Sequence, residues 1–310
     1  MGLQGVYAGK ASIRHALDQF KAQELNDHVY LQTIVSVAPD GQTAKARGVE
    51  LGMSGAAGGE LSEGTFENTF VRQGGIWKIQ SVHFYPRMIV DAAAGWAKSA
   101  KPAPGPSKEF PPDRPPTTSY EIYPKFAVAP FHFDNPVTGK PPQYPEGVSA
   151  TARPVTLANA PAIRSVASAA ELTARLAEAE RSITTAEAYD AAENLIGAYG
   201  YYLDDSPGDV ASLFAGFVRK DAEVGHLVPG ESILVNQFMQ PVIGVARDGR
   251  SAKVRARLLD PGGASGGAGY WTAGTFEGQI VSEQGTWKFQ TAGFSSGWSA
   301  PYPGGWARIP

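Results

Sequence analysis

The spacing of apolar positions changes along the chain and marks out its elements. Ile13, Leu17 and Phe20 recur at i, i+4 and i+7, which predicts a short amphipathic helix over residues 10–20. From His28 the period becomes two. Strands are predicted at His28–Val37, Thr43–Met53, Ser62–Arg72 and Ile76–Tyr85. Pro39-Asp-Gly, a glycine-rich stretch at 54–60 and Gly74-Gly75 separate them as turns. Strands joined by such short turns predict a curved antiparallel meander. Helical spacing returns over residues 165–204. Leu172, Leu176, Ala179 and Ile183 form one stripe. Thr184 and Glu187 have the spacing of a capping box, which predicts a new helix carrying Ala192, Leu195, Tyr199 and Tyr202. Asp204-Asp-Ser-Pro-Gly ends it, and Asp209–Phe217 predicts a further short helix. A second strand set follows at Ile233–Val245, Ser251–Leu259, Tyr270–Ser282 and Thr286–Phe294, with turns at Asp248-Gly249, 262–269 and Gln284-Gly285.

The two strand sets repeat each other. Residues 64–80 and 274–290 are identical at nine of seventeen positions, at an offset of 210. Asp40-Gly-Gln-Thr-Ala-Lys-Ala-Arg answers Asp248-Gly-Arg-Ser-Ala-Lys-Val-Arg, and Gly95-Trp-Ala-Lys answers Gly305-Trp-Ala-Arg. So long a period implies two copies of a whole domain rather than a solenoid. The copies are unequal. The first has a short helix before its sheet and nothing upstream of it. The second has long helices upstream and only Gly225–Gly230 where the short helix belongs. Either one copy is truncated or helices are shared between sheets.

Between the copies the composition shifts. Residues 101–150 hold most of the 24 prolines, which excludes regular helix or central strand. Tyr120, Tyr123, Phe126, Phe131 and Phe133 in the same stretch favour a strap packed on a domain over a free tether. The expected organisation is residues 1–100 as the first repeat, 101–156 as the strap or linker, and 157–310 as the second repeat.

Composition narrows the function classes. Hydrophobic residues make up 43% and charged residues 18%, and net charge is −3 without a basic run, so a nucleic-acid partner has no electrostatic support. No apolar run is long enough to span a membrane, and the N-terminus lacks the pattern of a signal peptide. The compartment stays open, cytoplasmic by default, with a secreted or extracellular assembly not ruled out by the sequence. The chain has no cysteine, hence no disulfide or thiolate chemistry. Its five histidines, His15, His28, His83, His132 and His226, show no metal-ligand spacing. No metal or cofactor is therefore expected.

Several segments, taken in order, resemble a known family. Ala198-Tyr-Gly-Tyr-Tyr-Leu-Asp-Asp followed by Val210-Ala-Ser-Leu-Phe is similar to the opening helices of SnoaL-like domains in the nuclear transport factor 2-like superfamily. Gly75-Ile-Trp-Lys and Gly285-Thr-Trp-Lys resemble that family's last hairpin. Gly5-Val-Tyr-Ala-Gly-Lys-Ala-Ser-Ile resembles the entry to its third helix, and Asn26-Asp-His-Val-Tyr its first long strand. The resemblance implies an α+β fold of two cone-shaped curved antiparallel sheets wrapped by helices, in tandem, each with a pocket at its open end. It also implies that residue 1 falls where a family domain is already a third complete. Family members include cyclases, dehydratases, isomerases and non-catalytic binding modules, so fold does not fix function.

The dehydratase-type resemblance places a base at His28 and a carboxylate at Asp204. A carboxylate holds an imidazole in one tautomer and tunes it for proton abstraction beside a carbonyl. Tyr199, Tyr201 and Tyr202 are candidate donors to a developing enolate, and Tyr30, His83 and Asn236 complete the expected pocket. The match is broken in one respect: His28 and Asp204 belong to different copies, and Asn236 stands in the second copy where His28 stands in the first. Each candidate also has a structural reading. His28 fits a strand residue satisfied by backbone, Asp204-Asp205 a helix-end turn, and Tyr199/Tyr202 a core stripe. Glu67 and Glu277 alternate with Phe66 and Phe276, which favours solvent or cross-strand pairing. Two functions therefore stand. One is a cofactor-free lyase or isomerase acting on a small apolar cyclic or aromatic molecule. The other is a non-catalytic binding or self-assembling protein, with homo-oligomers expected from exposed sheet edges.

Overall fold

The structure, a computed structural model, describes residues 3–18, 25–55, 59–95, 97–125, 127–144, 146, 168–205, 207–216, 232–264 and 269–302. Phe20, Trp96, Phe126, Phe217, His226, Gly225–Gly230 and Gly305-Trp-Ala-Arg lie outside the described residues. The chain divides into two compact units, Met1–Ile163 and Arg164–Pro310. Both carry antiparallel sheets, and helices are few.

In the first unit, α1 (Gly9–Asp18) precedes β1 (Leu25–Val37), β2 (Thr43–Gly55), β3 (Glu60–Gln73), β4 (Ile76–Ser81) and β5 (Phe84–Asp91). The sheet order is β1-β2-β3-β4, and β5 also pairs with β3. Asp113 Oδ2 anchors the start of α1, accepting from Ala8 N at 2.7 Å and Ser12 Oγ at 2.6 Å. The single strand predicted at Ile76–Tyr85 is broken in two. The Asn68 side chain accepts from His83 N at 3.3 Å, and His83 O accepts from Glu67 N at 2.8 Å. Strand pairing to β3 is therefore interrupted between Thr69↔Ser81 and Phe66↔Phe84, in unchanged register.

Alternation in β2 sorts this sheet into two faces. Register puts Ala44, Ala46, Gly48, Glu50 and Gly52 on one face with His28, Tyr30 and Phe66. Lys45, Arg47 and Val49 lie on the other with Val29, Thr65 and Glu67. The core is on this second face. Val29, Tyr85 and Val90 are buried there together with Ile122, Ala129 and His132 from the proline-rich segment. That segment is fastened to β5 by Lys101 N to Ile89 O at 2.8 Å, Tyr120 Oη to Pro86 O at 3.1 Å and Tyr123 N to Arg87 O at 2.8 Å. On the first face Ala44, Ala46 and Phe66 are also buried, but no helix covers it among the described residues, and Val35, Val37 and Ile79 are more than half exposed.

The second unit holds α2 (Ala169–Asp205), a 3-10 turn at Pro207–Leu213, and β6 (Ser232–Leu234), β7 (Phe238–Val245), β8 (Ser251–Ala264), β9 (Gly269–Glu283) and β10 (Thr286–Tyr302). The two helices expected over 165–204 are one helix of 37 residues. Its capping box is Ser168 with Glu171, where Ser168 N donates to Glu171 Oε2 at 2.7 Å and Glu171 N to Ser168 Oγ at 3.3 Å. Thr184 caps nothing; its hydroxyl donates back to Glu180 O at 3.0 Å inside the helix. The strand expected at Ile233–Val245 is interrupted because two carboxylates capture its amides. Asn236 N donates to Asp204 Oδ1 and Gln237 N to Asp260 Oδ1, each at 3.1 Å. The short helix expected at Asp209–Phe217 is the 3-10 turn.

Here the core lies between α2 and the opposite kind of face. Ala252, Val254 and Ala256 stand at the repeat positions of Ala44, Ala46 and Gly48, and they pack with Phe276, Ile280 and Phe289 against Leu195, Ile196 and Tyr199. The two sheets share their irregularities. Gln32 and Gln240 both have positive φ, 51° and 52°, where β1 and β7 slip register against β2 and β8. Gly74-Gly75 and Gln284-Gly285 both turn with positive φ, as two-residue hairpin turns require.

Candidate functional site

On the open face of the first unit, β1 and β2 bring His28, Tyr30 and Glu50 together. His28 pairs with Gly52 across the strands, and Tyr30 with Glu50. His28 Nδ1 lies 2.8 Å from Glu50 Oε1, and Nε2 lies 3.0 Å from Asn26 Oδ1. Gly52 makes the arrangement sterically feasible, since a Cβ there would press on the His28 ring and the Ser62 hydroxyl. The His28 side chain is 37% exposed and that of Glu50 only 17%. The hydrogen bond to Glu50 holds the His28 pKa above its ordinary value; burial opposes this, and the Glu50 charge adds to it. Tyr30 stands edge-on to Phe66 at 5.3 Å, and burial, then Glu50, raises its phenol pKa. The group is a half-exposed imidazole on a carboxylate with a neutral phenol beside it. Both ring nitrogens face acceptor oxygens, the arrangement of a doubly protonated imidazolium; in the neutral ring with Nδ1–H kept on Glu50 the lone pair is on Nε2, and the Asn26 amide oxygen must turn away from it.

The other candidates fall elsewhere. His83 stacks on Tyr85 at 4.1 Å and approaches its hydroxyl at 3.2 Å through Nδ1. Burial drives its pKa down to about 4, so it is neutral near pH 7. Asp204, in the second unit, ends α2 and accepts from both Asn236 N and Asn236 Nδ2, the latter at 2.6 Å. Tyr199 is fully buried, with its ring 5.2 to 6.2 Å from Phe214, Phe238, Phe276, Phe289 and Phe294. Tyr202 is half-buried against the same core, and Tyr201 is 74% exposed. The side of the second sheet that corresponds to the His28 face is thus filled with aromatic rings.

Sequence reasoning missed Glu50 and Asp260. Glu50 had one usable signal: it is an acid inside a strand, in phase with buried Ala44 and Ala46. Asp260 is 4% exposed and accepts from Gln237 N, and burial lifts its carboxyl pKa to about 7. Only Asp-Pro before a glycine-rich stretch marked it. For Glu67 the expectation was solvent or cross-strand pairing; it pairs across the strands with Arg47, at 2.7 Å in direct register. The same carboxylate also meets His132 Nδ1 at 2.7 Å. Among the described residues no three His, Asp or Glu side chains converge as a metal-ligand set, and no helix is long and apolar enough to cross a membrane.

Comparison with known proteins agrees with the first sheet. Residues 1–83 match the SnoaL-like domain. Among solved structures, a scytalone dehydratase candidate from Novosphingobium aromaticivorans is 18% identical, covers 39% of this chain and 91% of its own, and has a TM-score of 0.33. A type 2 hexachlorocyclohexane dehydrochlorinase is 14% identical over 40% of this chain and 94% of its own, with a TM-score of 0.35. An NTF2-like protein involved in plasmid conjugation is 10% identical over 88% of this chain and 80% of its own, with a TM-score of 0.24. No curated protein matches the chain.

Proposed function

We propose that the protein is built from two copies of one SnoaL-like unit, and that the first copy carries a cofactor-free proton-transfer site for a small apolar cyclic or aromatic carbonyl compound. The observation that carries this reading is the His28–Glu50 contact at 2.8 Å on an open sheet face. Glu50 takes the orienting role that the family resemblance implied for Asp204. In this reading His28 Nε2 removes a proton from the carbon next to the carbonyl. The electron pair moves to the carbonyl oxygen, and the Tyr30 hydroxyl donates a hydrogen bond to it. Return of the proton to another carbon is isomerisation, and loss of a β-leaving group is elimination. Asn26 lies at Nε2, where a substrate proton must arrive.

The test is deuterium uptake from D2O into a panel of cyclic and aryl ketones, followed by NMR. Exchange is expected with the intact chain and is expected to vanish in His28→Ala with the circular dichroism unchanged. Exchange that survives His28→Ala, or that no ketone in the panel shows, sinks the proposal.

A second reading, a binding or self-assembling protein, is favoured by the five phenylalanines around Tyr199, which leave no room for a substrate on the corresponding face of the second sheet. Light scattering over a dilution series tests it. A large species that persists on dilution favours assembly; a monomer or dimer removes that support.

A further inference from the structure

The two sheets carry the same cross-strand pair on the same face, and only one pair is covered. Arg47 faces Glu67 in the first unit, and Arg255 faces Glu277 in the second. In the first unit an irregular segment, Ala129–Phe133, lies over the pair. Arg47 donates to Pro130 O at 2.6 Å and Ala129 O at 3.3 Å, and its guanidinium sits 4.0 Å above the Phe131 ring. Glu67 takes the next residue, His132, whose other ring nitrogen reaches Ser36 Oγ at 3.1 Å. The pair thus holds a non-helical peptide through two carbonyls, one aromatic ring and one imidazole.

In the second unit that face is a trough of about 690 Å³ floored by Arg255 and Glu277. The two side chains are 67% and 63% exposed and stand 3.4 Å apart. Val242, on the trough wall, is 71% exposed. The trough is also roomier at corresponding positions on this face, because Gly244 replaces Ser36 and Gly293 replaces His83. We infer that this trough is a docking site for a non-helical peptide segment of another polypeptide, with two successive carbonyls followed by an aromatic residue and a histidine. Arg255 would grip the carbonyls and stack on the ring, and Glu277 would hold the imidazole, as Arg47 and Glu67 do.

The probe is a synthetic peptide of residues 127–134, Ala-Val-Ala-Pro-Phe-His-Phe-Asp, titrated into the full chain by calorimetry or fluorescence anisotropy. The tethered strap keeps the first face filled at high effective concentration, so a free peptide reports on the second. Saturable binding is expected. It should weaken at least tenfold in Arg255→Ala, and also in Arg255→Lys, which keeps the charge but loses the planar fork. A peptide with His132→Ala should weaken similarly, and Glu277→Gln should abolish the difference between the two peptides. Absence of saturable binding overturns the inference, as does binding indifferent to Arg255→Ala. A dimer that Arg255→Ala dissociates also overturns it, by assigning the face to a second copy of this chain. Both arginine substitutions are at an exposed side chain, so the circular dichroism should not change.

Discussion

At the residue scale, His28 and Glu67 show how one side-chain pair does different work at different depth. The hydrogen bond to Glu50 raises the folded pKa of His28 above its unfolded value of 6.5. The stabilisation it brings is fully present below pH 6.5 and is lost as pH rises through the folded pKa. An NMR titration should therefore give a His28 midpoint above 6.5, and Glu50→Gln should lower it. A midpoint insensitive to Glu50→Gln would mean that the two groups do not interact. Any activity that needs the neutral imidazole should rise through the same midpoint. Glu67 is the buried counterpart. It lies between Arg47 and His132, with side-chain exposures of 11%, 14% and 3%. Removing it in Glu67→Ala leaves a cation and an imidazole without their shared carboxylate, at a cost of about 3–5 kcal/mol. Glu277→Ala removes the same residue from the exposed copy of the pair and should cost about 0–1 kcal/mol. Urea unfolding of the two variants measures the contrast, and equal costs would contradict the difference in burial.

At the element scale, what the sequence made legible was local. Hairpin turns were visible because Asp-Gly and Gly-Gly specify them within four residues. The strands were visible because a half-buried strand alternates. What was hidden depends on distant partners. The break in the strand after Leu234 comes from the carboxylates of Asp204 and Asp260, 32 and 23 positions away from the amides they capture. The carboxylate beside His28 comes from the facing strand, at Glu50, so no spacing within β1 could show it. Thr184 with Glu187 had the right spacing for a helix start, yet the helix runs through them, because spacing alone does not say where a helix begins. Thr184→Ala is accordingly expected to be neutral or to stabilise by a few tenths of a kcal/mol, since alanine is the better interior residue. A true N-cap there would lose about 1 kcal/mol. Ser168→Ala should instead fray the first turns, visible as a loss of far-UV helicity with the core transition unchanged.

At the scale of the whole molecule, the matching sequence segments at 64–80 and 274–290 pointed to where strands run but not to which side of each sheet is buried. A buried face needs a covering element, and the two units use different ones. The first covers its Arg47 face with a proline-rich strap, and the second covers the reverse face with α2. Alternating sequence on both faces of a strand is compatible with either, which is why the pattern could place the strands and leave the core ambiguous. The division has a measurable consequence. Tyr199 sits at the centre of the second unit's aromatic core, so Tyr199→Ala should cost about 3–5 kcal/mol there. Hydrogen exchange read by mass spectrometry should then quicken in peptides from β8, β9 and β10 and stay unchanged in β2 and β3. Glu67→Ala should give the reverse pattern. Each substitution is expected to open the unit whose core it belongs to. Exchange that quickens throughout the chain in either variant would show instead that the two cores open as one cooperative unit.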